Sequence, residues 1–123
     1  MTRIAHKNTE KIELSAHGKK LGRFASEVAS LLLGKHSVVF KRHINEGAVV
    51  VVKDAGKLAI SAKKFGDKKY VRYSGFPGGL RHERAEEVAF KKGRGELLRR
   101  AVYGMLPANK LRKERMKNLI INE

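Results

Sequence analysis

Apolar residues in the first part of the chain follow the spacings of a strand, a helix and a second strand. Ile12 and Leu14 alternate with charged residues, which predicts a short strand. The apolar positions from Leu21 to Leu32 fall on one helical face, and Gly34 behind them is a stop signal. Residues 49–52 are consecutive valines, a run typical of a strand that is covered on both faces.

The middle of the chain predicts a turn, a strand and a short helix. Residues 54–57 have the composition of a turn, and the apolar residues at 58–60 predict the next strand. Residues 84–90 are expected to form a short helix. Gly93 and Gly95 follow it and are expected to interrupt the helical pattern.

The last third of the chain predicts a helix, a basic helical turn and a short strand. Residues 97–105 carry a second apolar helical face, and Pro107 should end that helix around Leu106. Residues 110–117 form the basic turn, and residues 119–121 return as a strand. Because strands alternate with helices, we predict an α/β fold.

The amino-acid composition gives the chain a strong positive charge. The 123 residues fit one domain, with residues 1–10 as a loose polar arm. Lysine and arginine number 28 against 12 acidic residues, and the resulting net charge of +16 indicates a polyanionic partner. No apolar run approaches the about 20 residues that span a bilayer, and no signal peptide is visible. We therefore expect no membrane partner and a cytoplasmic location.

A glycine-rich segment is the clearest candidate contact surface. Three glycines and one proline fall within positions 75–79, and cations flank them together with Tyr70 and Tyr73. Because glycine has no Cβ, such a backbone can approach a polyanion closely. These residues are compatible with RNA docking and with a basic surface turn, and both readings remain open at this point.

A second segment carries a family resemblance. Residues 101–111 read AVYGMLPANKL and resemble the AVxGMLPxNxL signature of the bacterial ribosomal protein L13 family. Residues 74–79, SGFPGG, resemble that family's SGYPGG loop, and residues 21–26, LGRFAS, followed by GKH at 34–36, resemble its LGRLAS…GKH segment. His43, Gly47 and the valine run resemble a fourth motif. The sequence departs from the family at Asn45 and Ala48, where an acidic pair is usual.

The resemblance implies a fold, a function and a set of partners. The implied fold is a single domain over residues 1–123, with three α/β/α layers and a mainly parallel sheet of about four strands. The implied function is that of a structural constituent of the large ribosomal subunit, which binds 23S rRNA and assists early subunit assembly. Neighbouring large-subunit proteins are the other implied partners.

We expect the RNA contacts to form three sets, in which cations neutralise phosphates and tyrosines stack on unpaired bases. The first set comprises the glycine loop, its flanks and the second motif: Lys68, Lys69, Tyr70, Arg72, Tyr73, Ser74, Gly75, Phe76, Pro77, Gly78, Gly79, Arg81, Arg99, Arg100 and Asn109. The second comprises Lys35, His36, Lys41, Arg42, His43, Lys63 and Lys64. The third comprises Lys110, Arg112, Lys113, Arg115 and Lys117.

Two other function classes remain as alternatives. An RNA-modifying or RNA-processing enzyme would need convergent acid, base or cofactor groups, and no sequence motif supplies them. The phosphate-loop pattern fails around Gly34, because His36 stands where a hydroxyl residue is required. We therefore predict no catalytic, metal or cofactor site and no small-molecule substrate. A basic nucleoid-type DNA-binding protein would explain the charge but not the order of the four motifs.

Overall fold

A computed structural model describes residues 10–38, 40–45 and 47–123 of the chain. The predicted polar arm at residues 1–10 lies outside this part, apart from Glu10. The elements follow in the order β1 (Lys11–Ser15), α1 (Leu21–Leu33), β2 (Val49–Lys53), a 3-10 helix (Ala55–Lys57), α2 (Ala62–Asp67), β3 (Lys69–Tyr73), β4 (Leu80–Arg84), α3 (Ala85–Lys92), α4 (Arg94–Met105), α5 (Leu111–Lys117) and β5 (Leu119–Ile121).

The central strand of the sheet is β2, with β1 and β5 paired to its two edges in parallel. Val50 and Val52 point to one face and are fully buried, and Val51 on the opposite face is 5% exposed. The prediction that this valine run is covered on both faces is therefore confirmed. The mainly parallel sheet is confirmed with it.

Helix α1 supplies much of the core on one face of the sheet. Its buried residues include Phe24, Val28 and Leu32, and they belong to the same apolar cluster as Val50 and Val52. The predicted stop at Gly34 is confirmed, because this residue adopts the left-handed conformation with φ 85°. Its N–H donates to the Leu31 carbonyl at 3.1 Å.

The return to the sheet depends on Gly47. A Cβ at this position would collide with the main-chain carbonyl of Leu32, so the loop passes directly against the end of α1. The neighbouring Ala48 N–H donates to the Leu31 carbonyl at 3.3 Å. Glycine is needed here because backbone, rather than a movable side chain, occupies the space.

Helix α4 buries Leu98 and Val102 in the same cluster as α1. It ends as predicted, because Leu106 is extended immediately before Pro107. Near this end of the helix, the Met105 side chain is 43% exposed. At the other end of α4, the Gly95 N–H donates to the Glu123 carboxylate at 2.8 Å, which satisfies one of the free amides of the first turn.

The predicted strand at residues 58–60 is wrong. Within the described residues, this segment makes only an isolated parallel bridge between Ala59 and Lys20. Leu58 is buried in the core directly after the 3-10 helix, and its N–H bonds back to Ala55. The backbone therefore leaves this turn without a run of ladder partners, and the described parallel sheet has three strands rather than about four.

Three elements were not predicted: helix α2 and the two strands β3 and β4. Ser61 caps α2 by accepting a hydrogen bond from the Lys64 N–H at 3.3 Å. Among the described residues, strands β3 and β4 pair only with each other, as an antiparallel hairpin outside the parallel sheet. Charged residues interrupt the apolar alternation of both strands, which explains why the sequence pattern did not reveal them.

The buried face of α4 predicts a sharp contrast between neighbouring residues. Leu98→Ala should lower the free energy of unfolding by about 2–5 kcal/mol, because it leaves a cavity in the main core. Arg99→Ala on the exposed side of the same helix should change it by less than about 0.5 kcal/mol. Thermal and urea melts of the two purified variants check this, and equal destabilisation would contradict the assigned helix face.

Candidate nucleic-acid interface

The glycine-rich segment is the turn of the hairpin formed by β3 and β4. The Ser74 N–H faces the Gly79 carbonyl at 3.4 Å, and the Gly79 N–H donates to the Phe76 carbonyl at 3.0 Å. Gly75 and Gly78 adopt φ values of 86° and 74°, which other residues rarely do. The predicted docking loop is thus the exposed tip of a two-stranded arm.

The turn glycines have a structural role within the protein itself. Besides the positive φ of Gly75 and Gly78, a Cβ on Gly79 would collide with the Ser74 side chain. Alanine substitutions here would therefore disturb the turn before any partner arrives. Close approach of this backbone to RNA stays a prediction, and it needs a test that leaves the glycines in place.

The strand register places like charges directly opposite each other. Arg72 pairs with Arg81 across the hairpin, and Lys69 pairs with Arg84. In the part of the chain that the structure describes, none of these four side chains forms an ion pair with a carboxylate. Like charges in directly opposed positions destabilise a β ladder. The sequence did not identify Arg84 as a candidate contact, because only the strand register shows that it lies opposite Lys69.

One face of the hairpin also exposes apolar side chains. Val71, Tyr73 and Leu80 share this face, and Phe76 lies at the tip. Each of them is between 54% and 73% exposed. Tyr73 and Phe76 therefore present open rings, as stacking on an unpaired base requires. Val71 and Leu80 were not predicted as contacts, and only the pairing of the strands brings them beside Tyr73.

Tyr70 and Arg100 anchor the base of the hairpin. The Arg100 guanidinium lies 4.7 Å from the centroid of the Tyr70 ring and forms ion pairs with Glu83 at 3.6 Å and Glu96 at 3.4 Å. Burial raises the pKa of the Tyr70 hydroxyl. Both groups are thus engaged within the protein, and the stacking role of Tyr70 and the phosphate contact of Arg100 stay predictions.

The structure divides the predicted second set between two regions. Lys63 and Lys64 are exposed on α2, which packs against β4 and α3 beside the hairpin. Lys35, Lys41, Arg42 and His43 are exposed on the segment that follows α1, and His36 lies 3.4 Å from the Glu10 carboxylate. This segment contacts α5, because Arg115 donates to the Arg42 carbonyl at 3.4 Å.

The predicted third set contains exposed and buried residues. Lys110, Lys113 and Lys117 are exposed. The Arg112 guanidinium stacks 3.9 Å from the Tyr103 ring centroid and donates to its hydroxyl oxygen at 2.8 Å. Asn109 accepts from the Leu111 N–H at 3.1 Å and so supports the start of α5.

Arg115 is corrected, because its side chain is only 1% exposed and cannot reach an external phosphate in this conformation. Burial lowers the pKa of its guanidinium. The Nε and Nη1 atoms have no hydrogen-bond partner among the described residues. We therefore leave Arg115 out of the surface that we assign to RNA.

Within residues 10–38, 40–45 and 47–123, no three His, Asp or Glu side chains are grouped as ligands for a metal ion. No helix in these ranges is both long enough and apolar enough to cross a membrane. Neither finding adds a second candidate site.

Known proteins resemble this chain over most of its length. Residues 9–123 match the family described as Ribosomal protein L13. The protein named large ribosomal subunit protein uL13m of Schizosaccharomyces pombe is 47% identical over 108 residues, which are 88% of this chain and 69% of that protein. The protein named large ribosomal subunit protein uL13 of Pelotomaculum thermopropionicum is 44% identical over 114 residues, which are 92% of this chain and 78% of that protein.

The anchoring contacts of Arg100 predict a stability cost. Arg100→Ala should lower the free energy of unfolding by about 1–2 kcal/mol, because it removes two ion pairs and the contact with the Tyr70 ring. Arg99→Ala is the matched control, since Arg99 is more exposed and has one long ion pair with Glu96 at 3.9 Å. Chemical denaturation measures both, and identical values would contradict the anchoring role.

Proposed function

The chain belongs to the ribosomal protein L13 family, and on that premise we propose that it is a structural constituent of the large ribosomal subunit. In this role it binds 23S rRNA, assists early subunit assembly and contacts neighbouring large-subunit proteins. The single observation that supports RNA binding best is the hairpin register, which opposes Arg72 to Arg81 and Lys69 to Arg84. The location that follows is the ribosome in the cytoplasm.

The opposed cations favour a polyanion over a neutral partner. In the free protein their repulsion weakens the hairpin, and no carboxylate of the described residues offsets it. Phosphates placed between the opposed side chains would replace this repulsion with attraction on both sides. The hairpin is then more stable in the complex than alone. This difference contributes to binding free energy in addition to simple neutralisation of the RNA backbone.

A second cationic region, formed by residues outside the hairpin, supports an extended interface. Lys110 precedes α5 and Lys113 and Lys117 lie within it, and all three are exposed. The same helix contacts the segment that carries Lys41 and Arg42 through Arg115. We assign phosphate contacts to these lysines and to Arg42. Two separated cationic regions are suited to a folded RNA, in which several backbone strands come close together.

We also propose that the fold has three layers within a single domain. Burial of Val51 on the face opposite Val50 and Val52 supports cover on both sides of β2. The packing of α1 and α4 accounts for one of the two covering layers. Residues 1–9, which lie outside the described part, belong to the same proposed domain.

The two rival functions are less well supported. Family membership favours a structural component of the ribosome over an RNA-modifying or RNA-processing enzyme. A nucleoid-type DNA-binding protein would also use the positive charge, but it would show no preference for large-subunit rRNA. Competition between 23S rRNA and duplex DNA of equal nucleotide concentration separates these two partners.

The hairpin register predicts opposite effects of one substitution on stability and on binding. Arg72→Glu should raise the free energy of unfolding by up to about 1 kcal/mol, because the new carboxylate faces Arg81. The same change should weaken binding to in vitro transcribed 23S rRNA by about tenfold or more, because it reverses a phosphate contact. Thermal melts and filter-binding titrations at one salt concentration measure the two effects.

Lys92→Glu is the control for Arg72→Glu, since it changes the net charge equally at the exposed end of α3, outside the assigned contacts. It should weaken binding much less. If both variants lose the same affinity, only overall charge matters and the hairpin is not a specific contact. Normal binding by Arg72→Glu would remove the hairpin from the interface.

The net charge of +16 predicts a strong dependence of RNA binding on salt. With roughly 6–10 phosphate contacts, affinity should fall by about 10³–10⁵ between 50 and 200 mM salt on the duplex-DNA scale, and by less on a folded RNA. Titrations against a 23S rRNA fragment across this range measure the slope. A flat response would exclude an electrostatic interface.

A further inference from the structure

An apolar groove of about 340 Å³ lies beside the base of the hairpin. Its walls come from the starts of α1, α3 and β3, from α2 and from one face of α4. Leu21, Ile60 and Met105 are among its apolar lining residues, and Lys64 and Lys68 are among its polar ones. This volume lies within the range of sites that bind small organic groups.

Two glycines leave this groove open, although the fold does not require glycine at either position. Gly22 is the second residue of α1 and Gly104 is the penultimate residue of α4, and both line the groove. Neither has a positive φ, and a Cβ on either would meet no atom of the described residues within 4 Å. Alanine favours a helix more than glycine does. Glycine at both positions therefore leaves room for something outside the chain.

The charges of the groove indicate the chemistry of its occupant. Lys64 and Lys68 form no ion pair with any described carboxylate, and none of the residues that line the groove is acidic. The occupant must combine a negative charge with a flat or apolar part. A nucleotide has both, since its phosphate suits the lysines and its base suits the apolar walls.

We propose that the groove receives one unstacked nucleotide of the bound RNA, with its base against Leu21 and Met105 and its phosphate beside Lys64 and Lys68. This inference rests on the proposed function. Continuity with the hairpin favours RNA over an acidic peptide, because the opposed pair of Arg72 and Arg81 lies on the same hairpin face as Tyr70, which lines the groove. A single RNA backbone can follow from these side chains to the rim of the groove.

The first test fills the groove without changing any charge. Gly104→Leu should keep the parent's melting temperature or raise it, and should weaken binding to in vitro transcribed 23S rRNA by about tenfold, the scale of one lost base contact. Gly56→Leu is the matched control, since Gly56 is also exposed, has space for a side chain and lies outside the groove. It should bind like the parent.

These outcomes separate the groove from the function on which it rests. If the parent protein does not bind 23S rRNA, the proposed function fails and the groove inference fails with it. If the parent binds and a folded Gly104→Leu variant binds equally well, only the groove inference is overturned. Equal losses in Gly104→Leu and Gly56→Leu would also overturn it, because the effect would not be local.

A second test identifies the occupant directly. The chain contains no cysteine, so Gly104→Cys provides a single thiol for a benzophenone maleimide. After reconstitution into large subunits and irradiation, we expect a crosslink to 23S rRNA. Ribonuclease digestion should then leave RNA from one site attached to the protein. A crosslink to a ribosomal protein would assign the groove to a peptide and overturn the proposal. Absence of any crosslink in assembled subunits would show an empty groove and would also overturn it.

Discussion

Burial of the central strand β2 on both faces is the constraint on which the rest of the structure depends. Val50 and Val52 pack with α1 and α4, while Val51 is buried on the opposite side. Such a strand cannot tolerate an exposed edge or face, so β1 and β5 must pair with it and the helices must cover it. Gly47 matters for the same reason, because it lets the chain enter this strand against the end of α1.

The hairpin of β3 and β4 lies outside the main core and is available to bind a partner. In the described part of the chain its strands pair only with each other. Its attachment depends on a small cluster that includes Tyr70 and on the ion pairs of Arg100. Beyond that base, the arm carries opposed cations and exposed rings, an arrangement that is unfavourable in the free protein. We interpret this arrangement as a local energetic cost that RNA binding removes. Replacing one of the opposed cations by a carboxylate should therefore change stability and RNA affinity in opposite directions.

Glycine serves two distinct purposes in this protein. At Gly34, Gly47 and Gly78 the protein itself requires it, through a left-handed backbone or through main-chain atoms that fill the space of a Cβ. At Gly22 and Gly104 the described residues impose no such requirement. Since all five look alike in the sequence, only their surroundings separate the glycines that shape the fold from those that leave space for a partner.

The sequence by itself determined the family, the positive charge, helices α1 and α4 and the buried strand β2, because each depends on local periodicity or on contiguous motifs. Only the tertiary structure decided which basic residues face outward. Arg115 and Arg100 resemble any other cation in the sequence, yet one is buried and the other is held by Glu83 and Glu96. The opposition of Lys69 to Arg84 and the meeting of Gly22 with Gly104 join residues distant in sequence. Strand register and helix packing create these relations, and no local pattern encodes either of them.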